Sequence, residues 1–171
     1  MPKNIIALFV FFVFFTNANA QSPYTNTIND RKETVLNGII TKYVLANNEP
    51  FKSWYNINQN AYTVDLAIVS ALETAKGKVQ FIIFGGTWCE DTQFILPKFF
   101  KLQEKAGFAD DAISFYGVDR AKKTLGNLND AFKITNVPTI IVMKDGKEIG
   151  RVVEYGKTGK WDVEIAAILK K

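Results

Sequence analysis

One segment restricts the fold more than any other. Val79-Gln80-Phe81-Ile82-Ile83-Phe84 is a run of β-branched and aromatic residues, short enough for a buried strand. It ends at Gly85-Gly86, and from Glu90 to Ala106 apolar and charged residues recur at period 3.6, with acids at the front and lysines toward the back, as the helix dipole favours. The only cysteine of the chain, Cys89, therefore stands where a strand hands over to a helix N-terminus.

The remaining periodicities extend this unit. Ala112 to Val118 reads as a second strand running into Asp119, and Leu128 to Phe132 as a short helix followed by Ile134-Thr135-Asn136-Val137-Pro138. Thr139 to Met143, an Asp145-Gly146 turn and Lys147 to Val153 read as an antiparallel hairpin, and Trp161 to Leu169 as a closing amphipathic helix. Strand, helix, strand, helix, hairpin, helix is the order of an α/β domain with a central mixed sheet covered on both faces. Upstream, Thr34 to Val44 (Leu36, Ile39, Ile40) and Val64 to Ala75 (Leu66, Val69, Leu72) carry apolar residues at helical spacing, so two helices are expected, with an irregular Asn-rich stretch containing Trp54 and Tyr55 between them. Gln21 to Asp30 is polar and turn-forming and is assigned no element. The expected organisation is a leader over 1–20, an N-terminal extension with two helices over 21–77, and the main domain over 78–171.

The leader is a secretory signal peptide by pattern: Lys3 at the start, an apolar Phe-rich core from Ile5 to Phe15, and Asn17-Ala18-Asn19-Ala20 as a small-x-small cleavage site. Its apolar core is about a dozen residues, short of the about 20 that span a bilayer. The expected location is therefore exported, periplasmic or secreted, with no stable membrane anchor after cleavage. The net charge of +4 falls to +3 when Lys3 leaves, and the basic residues are scattered among acids, which is no nucleic-acid footprint. The absence of histidine removes the usual general base, the usual zinc ligand and any Ser-His or Cys-His pair. No metal or other cofactor is called for. With one cysteine, no internal disulfide can form, which leaves a free reactive thiol or intermolecular pairing.

A cysteine at a helix N-terminus faces unpaired N–H groups and the positive end of the dipole, both favouring the thiolate, the reactive form. A lone cysteine is more commonly a small core residue, but its place after Trp88 at a strand-to-helix turn favours an exposed, reactive one. Glu90 and Asp91 set negative charge beside the sulfur and oppose the dipole; as ordinary helix-start acids they are equally well explained. Pro97 reads as a helix kink.

Phe84-Gly85-Gly86-Thr87-Trp88-Cys89-Glu90-Asp91-Thr92, with Pro97 eight residues after the cysteine, resembles the active-site strand, loop and kinked helix of the thioredoxin-like superfamily. Val118-Asp119, Val137-Pro138-Thr139 and Asp145-Gly146 follow as three further landmarks in the family's order, so that the resemblance spans about Val79 to Leu169. It implies a thioredoxin fold with an N-terminal helical extension. It implies that Cys89 is the attacking thiol and that Thr92 stands where the second cysteine of the motif would be, in a Cys-x-x-Thr site. The Thr92 hydroxyl is placed to donate to the sulfur, and its N–H to be capped by Cys89. The resemblance further implies that Pro138 is cis and lies against Cys89, that Val137 offers its main chain to an extended client, and that Trp88 flanks the site. Ile83 departs from the family, which commonly carries a buried acid there.

Without a resolving thiol, a mixed disulfide on Cys89 must be cleared by an outside thiol. The leading expectation is monothiol thiol–disulfide exchange with protein disulfides or low-molecular-weight thiols. The alternatives are a non-catalytic peptide-binding module on the same fold, and a partner protein held by a lasting intermolecular disulfide through Cys89. All three use one fold, so the fold does not choose among them.

Overall fold

A computed structural model of the chain describes residues 22–171, and the leader read over 1–20 lies outside them. Six strands form one sheet in the order β1-β2-β4-β3-β5-β6, where β1 is Tyr24–Ile28, β2 Thr34–Ile40, β3 Gln80–Gly85, β4 Ile113–Gly117, β5 Thr139–Lys144 and β6 Lys147–Val153. Only β3 and β4 run parallel; every other neighbouring pair is antiparallel. The helices are α1 Lys42–Asn47, α2 Glu49–Ala61, α3 Leu66–Ala75, α4 Glu90–Lys105, α5 Leu128–Ala131 and α6 Trp161–Leu169. This is the α/β thioredoxin fold with its mixed sheet and flanking helices.

Alternation along the central strands sorts the core. Phe81 and Ile83 of β3, with Ile140 and Val142 of β5, enter a large cluster with Leu72, Ile95, Leu96, Phe99 and Ile165 from α3, α4 and α6. Phe84, next after Ile83, and Ile141, between Ile140 and Val142, point to the opposite face and pack with Val118, Ile134 and Val137. Phe81 sits with its ring centroid 5.2 Å from both Phe99 and Phe108, in edge-on geometry. Each such pair adds about 0.5–1.5 kcal/mol beyond the area it buries. Pro97 lies inside α4, and the helix ends where Gly107, at φ 59°, donates to Glu104 O and Phe108 N–H to Gln103 O. That is a Schellman closure, which requires the left-handed conformation glycine adopts without strain.

The N-terminal part differs from its sequence reading. It is helical in good part, and α3 falls where a helix was expected, but Thr34–Ile40 is a strand rather than the start of a helix. Leu36, Ile39 and Ile40 fit helical spacing, yet Val35, Ile39 and Ile40 are β-branched, and pairing of Gly38 to Ile40 with Phe115 to Gly117 decides the outcome. The helix that follows begins only at Lys42. Tyr24–Ile28, assigned no element, pairs along its whole length with β2 as an edge strand, where its polar threonines face solvent. The Asn-rich stretch is also ordered. It forms α2, with Pro50 in the first turn and Phe51 and Tyr55 buried four residues apart. Asn56, Asn58 and Asn60, poor helix formers, disguised it.

Candidate functional site

The site is assembled at the C-terminal end of β3. Gly85 lets the first turn of α4 approach, because a Cβ there would lie 2.9 Å from the Thr92 methyl and 3.1 Å from Leu96. Gly86 leaves room for the Trp88 ring, which a Cβ would meet at 2.5 Å. Between them and the helix, Thr87 fastens the loop to β2: its buried hydroxyl donates to Thr34 O at 2.8 Å and accepts from Leu36 N–H at 3.2 Å. Gln93 donates to Thr87 O at 2.8 Å, closing the turn from the helix side.

Cys89 is the N-cap residue of α4 and is half-buried, as a free thiol. Its Sγ–H donates to Val137 O at 3.2 Å, and the Val137–Pro138 peptide is cis. Cys89, Val137 and Pro138 thus share one edge. Trp88 flanks them, half-buried, with its indole N–H donating to Val118 O at 2.9 Å. The Arg120 guanidinium stands over the same indole at 4.7 Å from the ring centroid and is held by Glu33 at 2.6 Å. Hydrogen bonding from Arg120, then from Asn29, lowers the pKa of Glu33.

Thr92 is placed differently from expectation. It is only 1% exposed, and its hydroxyl accepts from Gly86 N–H at 3.3 Å instead of serving the sulfur. Cys89 provides no side-chain cap for the helix; its backbone C=O accepts from Gln93 N–H at 3.0 Å. Ile83 is fully buried, so no acid stands beneath the site at that position. Asp119 is a turn residue, accepting from Lys123 N–H at 2.8 Å. Asp145 and Gly146 both have positive φ, as the tight hairpin turn requires. Among the described residues no group of three acids, cysteines or histidines could hold a metal ion.

Sequence reasoning missed Thr87, Gln93 and Arg120. Thr87 and Arg120 could not be found because Thr34, the partner of the first, reads as the start of a helix, and Glu33, the partner of the second, lies between that reading and the unassigned stretch ending near Asp30. Glu154 braces the Pro138 loop: its N–H donates to Pro138 O at 2.7 Å and its carboxylate accepts from Asn136.

Comparison with known proteins settles the family. The family model described as Thioredoxin matches residues 67–167, more than half of the chain. The chain belongs to the thioredoxin family. It is 35% identical over 85 residues to a thioredoxin of Coprinus comatus, covering 50% of this chain and 76% of that protein. Against thioredoxin-1 of Saccharomyces cerevisiae the identity is 32% over 79 residues, covering 46% of this chain and 71% of the yeast protein. Among solved structures, a protein of unknown function from Pseudomonas aeruginosa superposes with a TM-score of 0.53 at 15% identity, covering 75% of this chain and 89% of that one. That likeness shows the fold alone. The thioredoxin match begins at residue 67, so β1, β2, α1 and α2 precede it, and of these β2 supplies Thr34 and Leu36 to the site, with Glu33 in the turn just before it.

Proposed function

We propose that this chain is an exported monothiol thiol–disulfide exchange protein acting through Cys89. Membership of the thioredoxin family supports protein thiols and disulfides as its substrates. The observation that carries the single-thiol reading is the seat of Thr92: a buried hydroxyl occupies the place of a resolving thiol, three residues from a half-exposed Cys89. In the proposed cycle the Cys89 thiolate attacks a disulfide, one sulfur leaves, and the mixed disulfide waits for an external thiol. Val137 lies at an edge suited to main-chain pairing with an extended client, and Trp88 borders it.

The test is mass spectrometry of the chain from Gln21 onward after incubation with glutathione disulfide. A single adduct on Cys89, released by dithiothreitol, is the expected result. Absence of any adduct, together with equal binding of an unfolded peptide by wild type and Cys89→Ser, would transfer the assignment to a peptide-binding module. Ile83 favours that second reading, because it leaves the site without a buried acid to assist proton transfer. Export is tested separately by N-terminal sequencing of the protein recovered outside the cytoplasm, with Gln21 as the expected first residue.

A further inference from the structure

Thr87, Trp88 and Gln93 have a second neighbour besides the edge at Val137. The turn at Lys32 and Glu33, together with Phe51 and Trp54 of α2, closes around them to leave a cleft of about 230 Å³. A water molecule takes up about 30 Å³, so the cleft has room for one large side chain and no more. Cys89 C=O accepts from Gln93 N–H at 3.0 Å, which sets the two residues one turn apart, and side chains so spaced stand about 5–6 Å from each other. Apart from Thr87, Trp88 and Gln93, the lining comes from residues 32–54, outside the family match at 67–167.

The walls of the cleft are aromatic and already in place. Trp54 and Trp88 are half-buried, and the buried Phe51 ring stands edge-on to Trp54 at 6.2 Å. Trp88 is held twice, by its bond to Val118 O and by the Arg120 guanidinium over its ring. Charge decides what such walls take. Indole faces suit a cation, but the one acid of the lining, Glu33, is already paired with Arg120 at 2.6 Å and accepts from Asn29 at 2.6 Å. Lys32 is exposed and, among the described residues, pairs with no acid. Its backbone is fixed by the turn, where Lys32 N–H donates to Asn29 O at 2.9 Å and Asn29 Oδ1 accepts from Glu33 N–H at 3.0 Å. The cleft thus offers aromatic surface with one free positive charge.

We infer that this cleft seats an aromatic side chain of an extended client, two residues from the client cysteine, with an Asp or Glu beside it facing Lys32. The spacing follows from reach: two residues of extended chain span roughly 6.6 Å, which matches the one turn between Cys89 and Gln93. The inference deepens the exchange reading by naming its substrate class, and rests on that reading only for treating the bound peptide as a substrate.

The experiment measures binding by fluorescence anisotropy with three labelled peptides in which serine replaces the client cysteine, so that no exchange occurs. They are Asp-Phe-Gly-Ser-Gly-Phe-Asp, the same peptide with alanine for phenylalanine, and the same peptide with lysine for aspartate. Wild type is expected to bind the first roughly tenfold more tightly than the alanine peptide, the effect of one well-seated aromatic anchor. It should bind the lysine peptide roughly two- to fivefold more weakly than the first at low salt, as an exposed charge pair allows. Trp54→Ala should erase the preference for phenylalanine over alanine. Lys32→Glu should reverse the preference for aspartate over lysine, and because Lys32 is exposed this variant reads the cleft even where Trp54→Ala loosens α2. Equal binding of the phenylalanine and alanine peptides by wild type overturns the inference, as does a phenylalanine preference that survives Trp54→Ala or a lysine preference in wild type. Exchange is read separately, as the Cys89 adduct with glutathione disulfide on wild type. An adduct without peptide selectivity leaves exchange standing and removes the cleft; selectivity without an adduct removes exchange and leaves the cleft as a peptide site.

Discussion

Cys89 Sγ lies 3.2 Å from the carbonyl oxygen of Val137, a residue 48 positions further along the chain. This contact ties the N-terminus of α4 to the loop before β5. Both ends belong to elements fixed by the core: Ile95 and Leu96 of α4 are fully buried, as are Ile140 and Ile141 of β5.

Replacing the sulfur tests whether that contact serves chemistry or stability. Serine keeps a donor for Val137 O, so Cys89→Ser should change stability by no more than about 1 kcal/mol, the net value of one hydrogen bond. The same variant should form no adduct with glutathione disulfide. Thermal unfolding and mass spectrometry read the two effects separately; a large loss of stability would make Cys89 a structural residue.

Arg120 and Glu33 provide a pH-dependent link between the approach to β2 and Trp88. The folded-state pKa of Glu33 is lowered from its ordinary 4.5, with the Arg120 hydrogen bond as the largest cause. For a carboxylate lowered by folding, the stabilisation is present above the unfolded value and is lost as pH falls through the folded one. Arg120→Ala should therefore melt below wild type by a margin that is constant near neutrality and narrows below pH 4.5. Both side chains are about one-third exposed, so added salt should shrink the margin too. A margin unchanged down to pH 3 would show that the pair contributes nothing.

Lys42 offers the converse separation, stability without function. Its buried ammonium donates to Gln103 at 2.8 Å and pairs with Glu104 at 3.1 Å and Asp110 at 3.0 Å. Lys42→Ala leaves Gln103 Oε1 without that donor inside the protein, and should cost about 1–3 kcal/mol. Gln103 and Glu104 lie at the far end of α4, about 20 Å from Cys89 at 1.5 Å per residue. Chemical denaturation should show the loss while the rate of Cys89 adduct formation stays at the wild-type value.

The legible part of this molecule is the part whose local pattern and tertiary role agree. β3, α4, the β5–β6 hairpin and α6 each show one period, the turn residues stand between them, and Cys89 sits at the junction of the first two. The edge with Val137 and Pro138 was legible only through the family resemblance, since nothing in the spacing brings residues 89 and 137 together. β2 was not legible, because Leu36, Ile39 and Ile40 satisfy a helical spacing as well as a strand and only the pairing with β4 separates the two. Losing β2 concealed the Thr87 anchor and the Glu33–Arg120 pair with it. The brace from Glu154 to Pro138 was invisible for another reason: it joins residues 16 positions apart just outside the β5–β6 pairing, where no periodicity marks it.

Thr92 is where the absent second thiol has its clearest consequence. In reduction of insulin disulfides with dithiothreitol as donor, every mixed disulfide on Cys89 must wait for an external thiol, so the wild-type chain should turn over far more slowly than a two-cysteine thioredoxin. Thr92→Cys places a thiol where intramolecular attack replaces a diffusional encounter, and should raise the rate by roughly tenfold or more. The substitution has a structural cost. Thr92 accepts from Gly86 N–H at 3.3 Å and packs its methyl near Gly85, so losing both should destabilise the chain by about 1–2 kcal/mol. The gain in rate should stay below that of a natural two-cysteine relative, because the fully buried Ile83 offers no group to take the proton from a buried resolving thiol. Adding Cys89→Ser should abolish activity in the Thr92→Cys background, since the attacking thiol is then gone. If Thr92→Cys folds with the expected small loss and shows no gain, while wild type and Cys89→Ser bind unfolded peptide equally well, then Cys89 does not exchange disulfides and the groove beside Val137 is a binding surface.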